Sequence, residues 1–292
     1  MRARGVGQSI PVRAEIAGSS FAWLDEPSRA EPGGPYADAP PLALVHGFTG
    51  HRDDFLGAAQ ELAARRRVIV PDLRGHGDSD ESPGPYGFSF EQLVKDLLTL
   101  LDHLGIERCD LLGHSFGGMV VLRFALAHIE RVRSLIFLCT SPELPAGLPS
   151  EGFDKAAEIA EAHGIGRLQA LAERAARPVV SAQIAKWGER YWAHHRRRLG
   201  SMTPESYRGI GSAMFEGRSL VERLPEIDCP TLVIVGEMDL DWLPGADLFE
   251  QNLPRVERIT LAGAEHHPHQ ENPAAWHAAI EAHLDRVARE GA

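Results

Sequence analysis

The stretch Gly113-His114-Ser115-Phe116-Gly117 holds one serine between two glycines, the G-x-S-x-G spacing of a sharp strand-to-helix turn. Leu111 and Leu112 before it read as the end of a buried strand, and Met119 to Leu126 after it reads as a helix. Glycines suit such a turn because a backbone strained at Ser115 leaves no room for a Cβ on its flanks. The serine then stands at a helix N-terminus, where unpaired N–H groups favour a developing negative charge. Nucleophilic attack is the chemistry this presentation allows. A serine hydroxyl is a poor nucleophile at neutral pH, so it needs a histidine to take its proton and a carboxylate to orient that histidine.

Both partners have to reach the same sheet edge as the serine, and two later strand patterns lead to them. Thr231 to Val235 is a short apolar run that ends at Gly236-Glu237-Met238-Asp239, with Asp241 two residues further on. Val256 to Leu261 gives the last strand pattern, followed by Glu265-His266-His267-Pro268-His269. Glu143, just past the Val132 to Cys139 strand pattern, is another acid at a strand end. The chain order is therefore serine, acid, histidine.

The elements that must position these groups alternate between strand and helix. Val12 to Ile16 and Ser20 to Leu24, split by Ala17-Gly18-Ser19, predict an opening hairpin. Leu42 to Val45 and Val68 to Val70 are short continuous apolar runs, the pattern of strands buried on both faces. Asp54 to Arg65 and Phe90 to Leu104 carry apolar residues at helical spacing, and Pro273 to Ala288 closes the chain as a helix. This alternation predicts a mostly parallel sheet with right-handed crossovers, whose active site lies beyond the carboxyl ends of the strands. From Glu143 to about Ser219 no strand pattern occurs, so several helices are expected there as an insertion.

Composition narrows the function. With 292 residues, 43% of them hydrophobic, the chain can build one large core. A formal charge of −11 favours solubility and argues against a general nucleic-acid or anionic-membrane binder, and a small-molecule substrate is the partner expected of the serine chemistry. Cys109, Cys139 and Cys229 lie in or beside apolar runs and read as small buried hydrophobes without metal spacing. No cofactor cradle and no metal-ligand cluster is recognisable, the histidines at 266, 267 and 269 being accounted for by the serine chemistry. The basic start Met1-Arg2-Ala3-Arg4-Gly5 lacks the apolar segment of a leader, and no stretch is long enough for a membrane span, so a cytoplasmic enzyme is expected.

Five motifs in order give the chain a resemblance to the α/β-hydrolase superfamily over nearly its whole length. They are HGFTG at His46 to Gly50, DLRGHGDS at Asp72 to Ser79, GHSFGG at Gly113 to Gly118, GEMD at Gly236 to Asp239 and EHHPHQENP at Glu265 to Pro273. The resemblance implies an α/β-hydrolase fold with a mostly parallel, doubly wound sheet, its core formed by residues 1–142 and 220–292 and a helical cap by 143–219. It implies Ser115 as nucleophile, His266 as base and Asp239 as acid, with Asp241 and Glu143 as alternative acids and His267 as alternative base. It places the oxyanion-hole donors at the backbone of Phe48 and Phe116. Arg74, His76 and Asp78 match a turn motif read as structural, Glu265 stands where the family usually has glycine, and His114 either packs or faces substrate.

For function, the resemblance implies a serine hydrolase of a small ester, thioester or lactone that needs no cofactor. The same triad serves carbon-carbon hydrolases of ring-cleavage diketones and a menaquinone-pathway synthase. Against the synthase, the arginine such enzymes carry in the serine helix is absent, Met119 standing nearest its place. Relatives acting on haloalkanes or epoxides use aspartate where Ser115 stands, which excludes their mechanism. Within the insertion, Lys186 to Arg208 carries six cationic residues against two acidic ones. Trp187, Tyr191 and His195 recur at helical spacing there, so an aromatic face flanked by arginines could meet an acidic substrate.

Overall fold

The computed structural model describes residues 11–84, 86–148, 150–174 and 185–291; the basic opening Met1 to Gly5 and the 175–184 part of the insertion lie outside them. Eight strands form one sheet: β1 (Pro11–Ile16), β2 (Ser19–Glu26), β3 (Leu42–Val45), β4 (Val68–Pro71), β5 (Cys109–His114), β6 (Val132–Leu138), β7 (Thr231–Gly236) and β8 (Val256–Leu261). Their order across the sheet is β1-β2-β4-β3-β5-β6-β7-β8. The hairpin β1–β2 turns at Ala17 and Gly18, both with positive φ, as a two-residue hairpin turn requires. β2 joins β4 antiparallel, and from β4 through β8 every pairing is parallel. All residues of β3 to β7 are buried, because helices cover both faces of the sheet.

The core divides accordingly into two apolar layers. On one face lie α2 (Phe90–His103), α3 (Phe116–Ala127) and the helix Leu243–Asn252, packed with Phe116, Phe124 and Phe249. On the other, α1 (Leu56–Leu62) and the closing helix Pro273–Glu290 pack through Phe55, Leu62 and Trp276. The insertion is helical where it is described: α4 (Ser150–His163), α5 (Ile165–Arg174), Glu189–Gly200 and Pro204–Phe215.

Three element boundaries differ from the sequence expectation. The helix expected from Met119 begins at Phe116, directly after the serine, because Gly117 and Gly118 sit inside its first turn rather than ahead of it. The helix expected from Asp54 to Arg65 is split. Its first turn is a 3₁₀ segment, Arg52–Phe55, capped by the His51 side chain accepting from the Asp53 N–H, and α1 follows. β6 stops at Leu138 because Cys139 has φ +47° and turns the chain out of the sheet.

Candidate active site

The C-terminal ends of β3, β5, β7 and β8 share one sheet edge, and the sequence-predicted residues sit there. Ser115 follows β5 with φ 53° and ψ −122°, a conformation rare for a side-chain-bearing residue. Steric surroundings explain the glycines around it. A Cβ on Gly113 would lie 2.5 Å from the Gly117 carbonyl oxygen, and one on Gly117 would lie 2.3 Å from that of His46. The Thr140 hydroxyl donates to the Ser115 carbonyl at 2.6 Å and the Ser115 N–H donates to Leu138 O at 2.9 Å, which hold the strained residue in place.

Asp239 and His266 are brought together: Oδ2 of the carboxylate lies 2.9 Å from Nδ1 of the imidazole. The acid is 5% exposed, and the Trp242 ring lies 5.2 Å from the imidazole ring. A buried carboxylate in this position fixes the tautomer with the proton on Nδ1, leaving Nε2 as a proton acceptor. The alternative acids are placed differently. Asp241 is exposed beside Gly147, and neither it nor Glu143 bonds to His266. His267, the alternative base, lies with its ring 5.0 Å from that of His114 and makes no bond to an acid among the described residues.

The base loop is braced from three directions. Glu271 accepts from the Glu265 N–H at 2.6 Å, so the glutamate that stands at a usual glycine position is held through its backbone. His114 donates from Nε2 to the His266 carbonyl at 2.7 Å. A carbonyl only accepts, so His114 carries its proton on Nε2; burial, together with the neighbouring His266 and His269 rings, drives its pKa well below the usual histidine value and keeps it neutral. His114 therefore packs and ties the elbow to the base loop. The third brace is Cys139, whose Sγ lies 3.6 Å from the Glu265 carbonyl oxygen and within 4.8 Å of the ligating atoms of both Asp239 and His266. Burial, then the charge of Asp239, push its thiol well above the usual range, so without a bound cation it sits there as a protonated donor. From sequence Cys139 reads only as a buried hydrophobe closing the Val132 to Cys139 strand pattern, and no spacing signals its contact with Asp239 and His266.

The HGFTG loop backs onto the serine. A Cβ on Gly47 would lie 3.1 Å from Ser115 Cβ, a tight contact that favours glycine there. His46 donates from Nδ1 to Gly47 O at 2.9 Å and accepts from the Leu73 N–H at 3.0 Å. His76 accepts from the Thr49 N–H at 3.2 Å. Burial pushes His46 down to about 4 and His76 down to about 3, so both are neutral, as these accepting roles require. None of these bonds uses the Phe48 N–H. The Phe116 N–H stands in the first turn of α3, where it has no intrahelical acceptor. The Phe48 ring packs 5.0 Å from Tyr207 of the insertion, and the Phe116 ring 5.1 Å from Phe90. Arg74, His76 and Asp78 are all engaged in holding loops, Arg74 with Asp96 at 2.7 Å and Asp78 with Arg52.

Four insertion arginines meet six different partners. Arg198 reaches the Thr49 carbonyl at 3.2 Å and Asp54 at 3.5 Å; Arg197 pairs with Asp53; Arg196 pairs on the surface with Glu173 and Glu189. Arg208 pairs with Glu161. Burial raises the Asp54 carboxyl, yet Arg198 and the bond from His194 outweigh it and hold it well below the carboxylate range. Between the helix Glu189–Gly200 and the base loop lies a cavity of about 500 Å³.

The model of the alpha/beta hydrolase fold family matches residues 40–273, and the chain belongs to that family. It is an enzyme of the α/β-hydrolase type. It is similar, at 29% identity over 252 residues, to a Bacillus subtilis protein described as a 2-succinyl-6-hydroxy-2,4-cyclohexadiene-1-carboxylate synthase, covering 80% of this chain and 85% of that one. The dihydrolipoyllysine-residue acetyltransferase component of an acetoin cleaving system from Pseudomonas putida is 39% identical over 131 residues, 45% of this chain; the match spans a third of that protein's length, 33%. Among solved structures, a thermophilic esterase from Thermogutta terrifontis, with malate bound, has a TM-score of 0.77 at 27% identity, covering 96% of this chain and 99% of that one. No helix among the described residues is long and apolar enough to cross a membrane.

Proposed function

We propose that the protein is a serine hydrolase that cleaves a small ester, thioester or lactone through an acyl-enzyme on Ser115. The observation that carries this reading is the 2.9 Å Asp239–His266 pair, tied through the His114 bond to the elbow that presents a strained serine. In the first half-reaction Ser115 Oγ attacks the carbonyl carbon while His266 Nε2 takes its proton, and the Phe48 and Phe116 N–H groups stabilise the oxyanion. The tetrahedral centre collapses, the carbon–heteroatom bond breaks, and His266 returns the proton to the leaving oxygen or sulfur. Water, deprotonated by the same histidine, then attacks the acyl carbon, the bond to Ser115 Oγ breaks as the histidine returns the proton to Oγ, and the acid leaves. The helices of residues 143–219 act as a cap over this edge, their Tyr207 and Phe153 rings packing against Phe48. Every step uses side chains and backbone groups of the chain itself.

The likeness to the Bacillus subtilis protein supports a second reading, in which the same triad breaks a carbon–carbon bond. The serine helix argues against it: its arginine, Arg123, lies with its guanidinium 3.6 Å from the Phe90 ring centroid and donates to Met119 O at 3.0 Å. Nitrophenyl acetate and butyrate, a ring-cleavage diketone acid and the synthase's own substrate separate the two. Nitrophenol release with hydroxylamine trapping of the acyl group supports the ester reading. Turnover of the carbon acids with no ester cleavage overturns it.

A further inference from the structure

The cavity beside the base loop has a composition that selects its occupant. Trp187, Arg190 and Tyr191 of the insertion line it on one side, and Asp54, His267 and Gln270 on the other. One lining residue, His267, adjoins the proposed base. His267 follows the base directly, its ring 5.4 Å from the His266 ring and 5.0 Å from that of His114, the residue before Ser115. Ser115 and His266 do not themselves line this space, so an arm of a substrate held at Ser115 would enter it by way of His267.

Charge in the lining is mostly spent internally. Asp54 accepts from His194 at 2.6 Å and pairs with Arg198; Asp53 pairs with Arg197 at 2.9 Å. His195 is engaged with Gln169 at 2.7 Å, and burial pushes it down to about 4, leaving it neutral. Burial likewise drives His267 well below the usual histidine value. Arg190 remains: it lines the cavity and has no hydrogen bond or ion pair among the described residues. The cavity thus offers one unengaged, solvent-exposed guanidinium in a lining that also holds two aromatic side chains, Trp187 and Tyr191, and two carboxylates, Asp53 and Asp54.

We propose that this cavity is the subsite for an anionic arm of the substrate, a carboxylate bound by Arg190, with Trp187 and Tyr191 flanking the arm's carbon chain. A planar guanidinium takes a carboxylate in a two-pronged, charge-assisted contact. This assignment rests on Ser115 being the site of hydrolysis and adds that the preferred substrate is a half-ester of a dicarboxylic acid.

The test compares monophenyl esters of succinic, glutaric and adipic acid with their methyl-capped diesters, reading phenol release. Wild type prefers the free acid of the best chain length by roughly tenfold to a hundredfold in kcat/KM, and high salt reduces the preference. Arg190→Gln removes at least tenfold of that ratio, Arg190→Lys restores part of it, and Arg196→Gln, a surface residue, leaves the ratio unchanged. A parallel reading avoids turnover: calorimetric binding of glutarate to Ser115→Ala protein weakens about tenfold when Arg190→Gln is added. Ester cleavage with no acid preference, or a preference and a glutarate affinity untouched by Arg190→Gln, overturns the anchor and leaves the hydrolase reading standing. Glutarate binding that depends on Arg190 in a protein that cleaves no ester supports the anchor and overturns the hydrolase reading.

Discussion

The elbow at Gly113 to Gly118 and the insertion helix Glu189–Gly200 face the same sheet edge, yet they are specified by different physics. In the elbow, backbone sterics decide. A Cβ at Gly117 would stand 2.3 Å from the His46 carbonyl oxygen, so the residue type is dictated by a contact that any chain in this shape must make. In the insertion helix, long side chains choose among distant partners. Arg190, Arg196, Arg197 and Arg198 are alike in sequence, yet one lines a cavity, one pairs on the surface and two bind residues about 140 positions earlier. Local geometry can be read from the residues that tolerate it. The fate of a charged side chain depends on what the fold brings opposite.

The largest expected difference between the two regions is catalytic. Asp239→Asn leaves the imidazole in the wrong tautomer and lowers kcat by roughly 10³- to 10⁴-fold, whereas Asp241→Asn stays within about threefold of wild type. Steady-state kinetics on a nitrophenyl ester checks this, and the reverse pattern would move the acid two residues along the chain.

Acid should separate the regions next. His46, His76 and His269 are buried, and burial lowers them to about 4, 3 and 3. The unfolded chain binds these protons first, near an ordinary histidine value of about 6.5. Their stabilisation is therefore complete above that pH and is lost as pH falls towards the folded values. At pH 5 each contributes a slope of roughly 1.4 kcal/mol per pH unit. The Asp54 pairs of the insertion persist further, because that carboxyl is held well below its usual range. Urea midpoints should fall steeply between pH 6.5 and 4; a flat profile would contradict neutral buried histidines.

Packing gives a smaller contrast. Gly117→Ala forces backbone apart at the elbow and should cost about 1–3 kcal/mol, seen as a lower urea midpoint. Arg196→Gln breaks only surface pairs, Arg196 being well exposed, and should change the midpoint by no more than about 0.5 kcal/mol. Equal effects would remove the distinction between the two regions.

Much of the fold was legible because period and punctuation agree. The short apolar runs at Leu42–Val45 and Thr231–Gly236 are buried parallel strands, and each delivers a motif to the edge where its chemistry would act. The start of α3 was misread because glycines usually end helices, while here Gly117 and Gly118 are needed for close approach to β3 and Thr140. Cys139 escaped notice since its contact with the acid and base depends on a left-handed residue after β6, which no spacing rule encodes. His114 could not be assigned from sequence because its partner, the His266 carbonyl, lies 152 residues away. The motif turn at Asp72 to Ser79 was readable as structural, and its side chains do hold loops together.

Ser115 as the acylated residue is the central claim, and intact-mass analysis after brief treatment with a fluorophosphonate tests it most directly. Wild type should gain one adduct, mapped by peptide sequencing to the segment containing Ser115, while Ser115→Ala gains none and His266→Gln reacts on the order of 10³-fold more slowly. An adduct on another serine, or undiminished labelling of Ser115→Ala, would contradict the account.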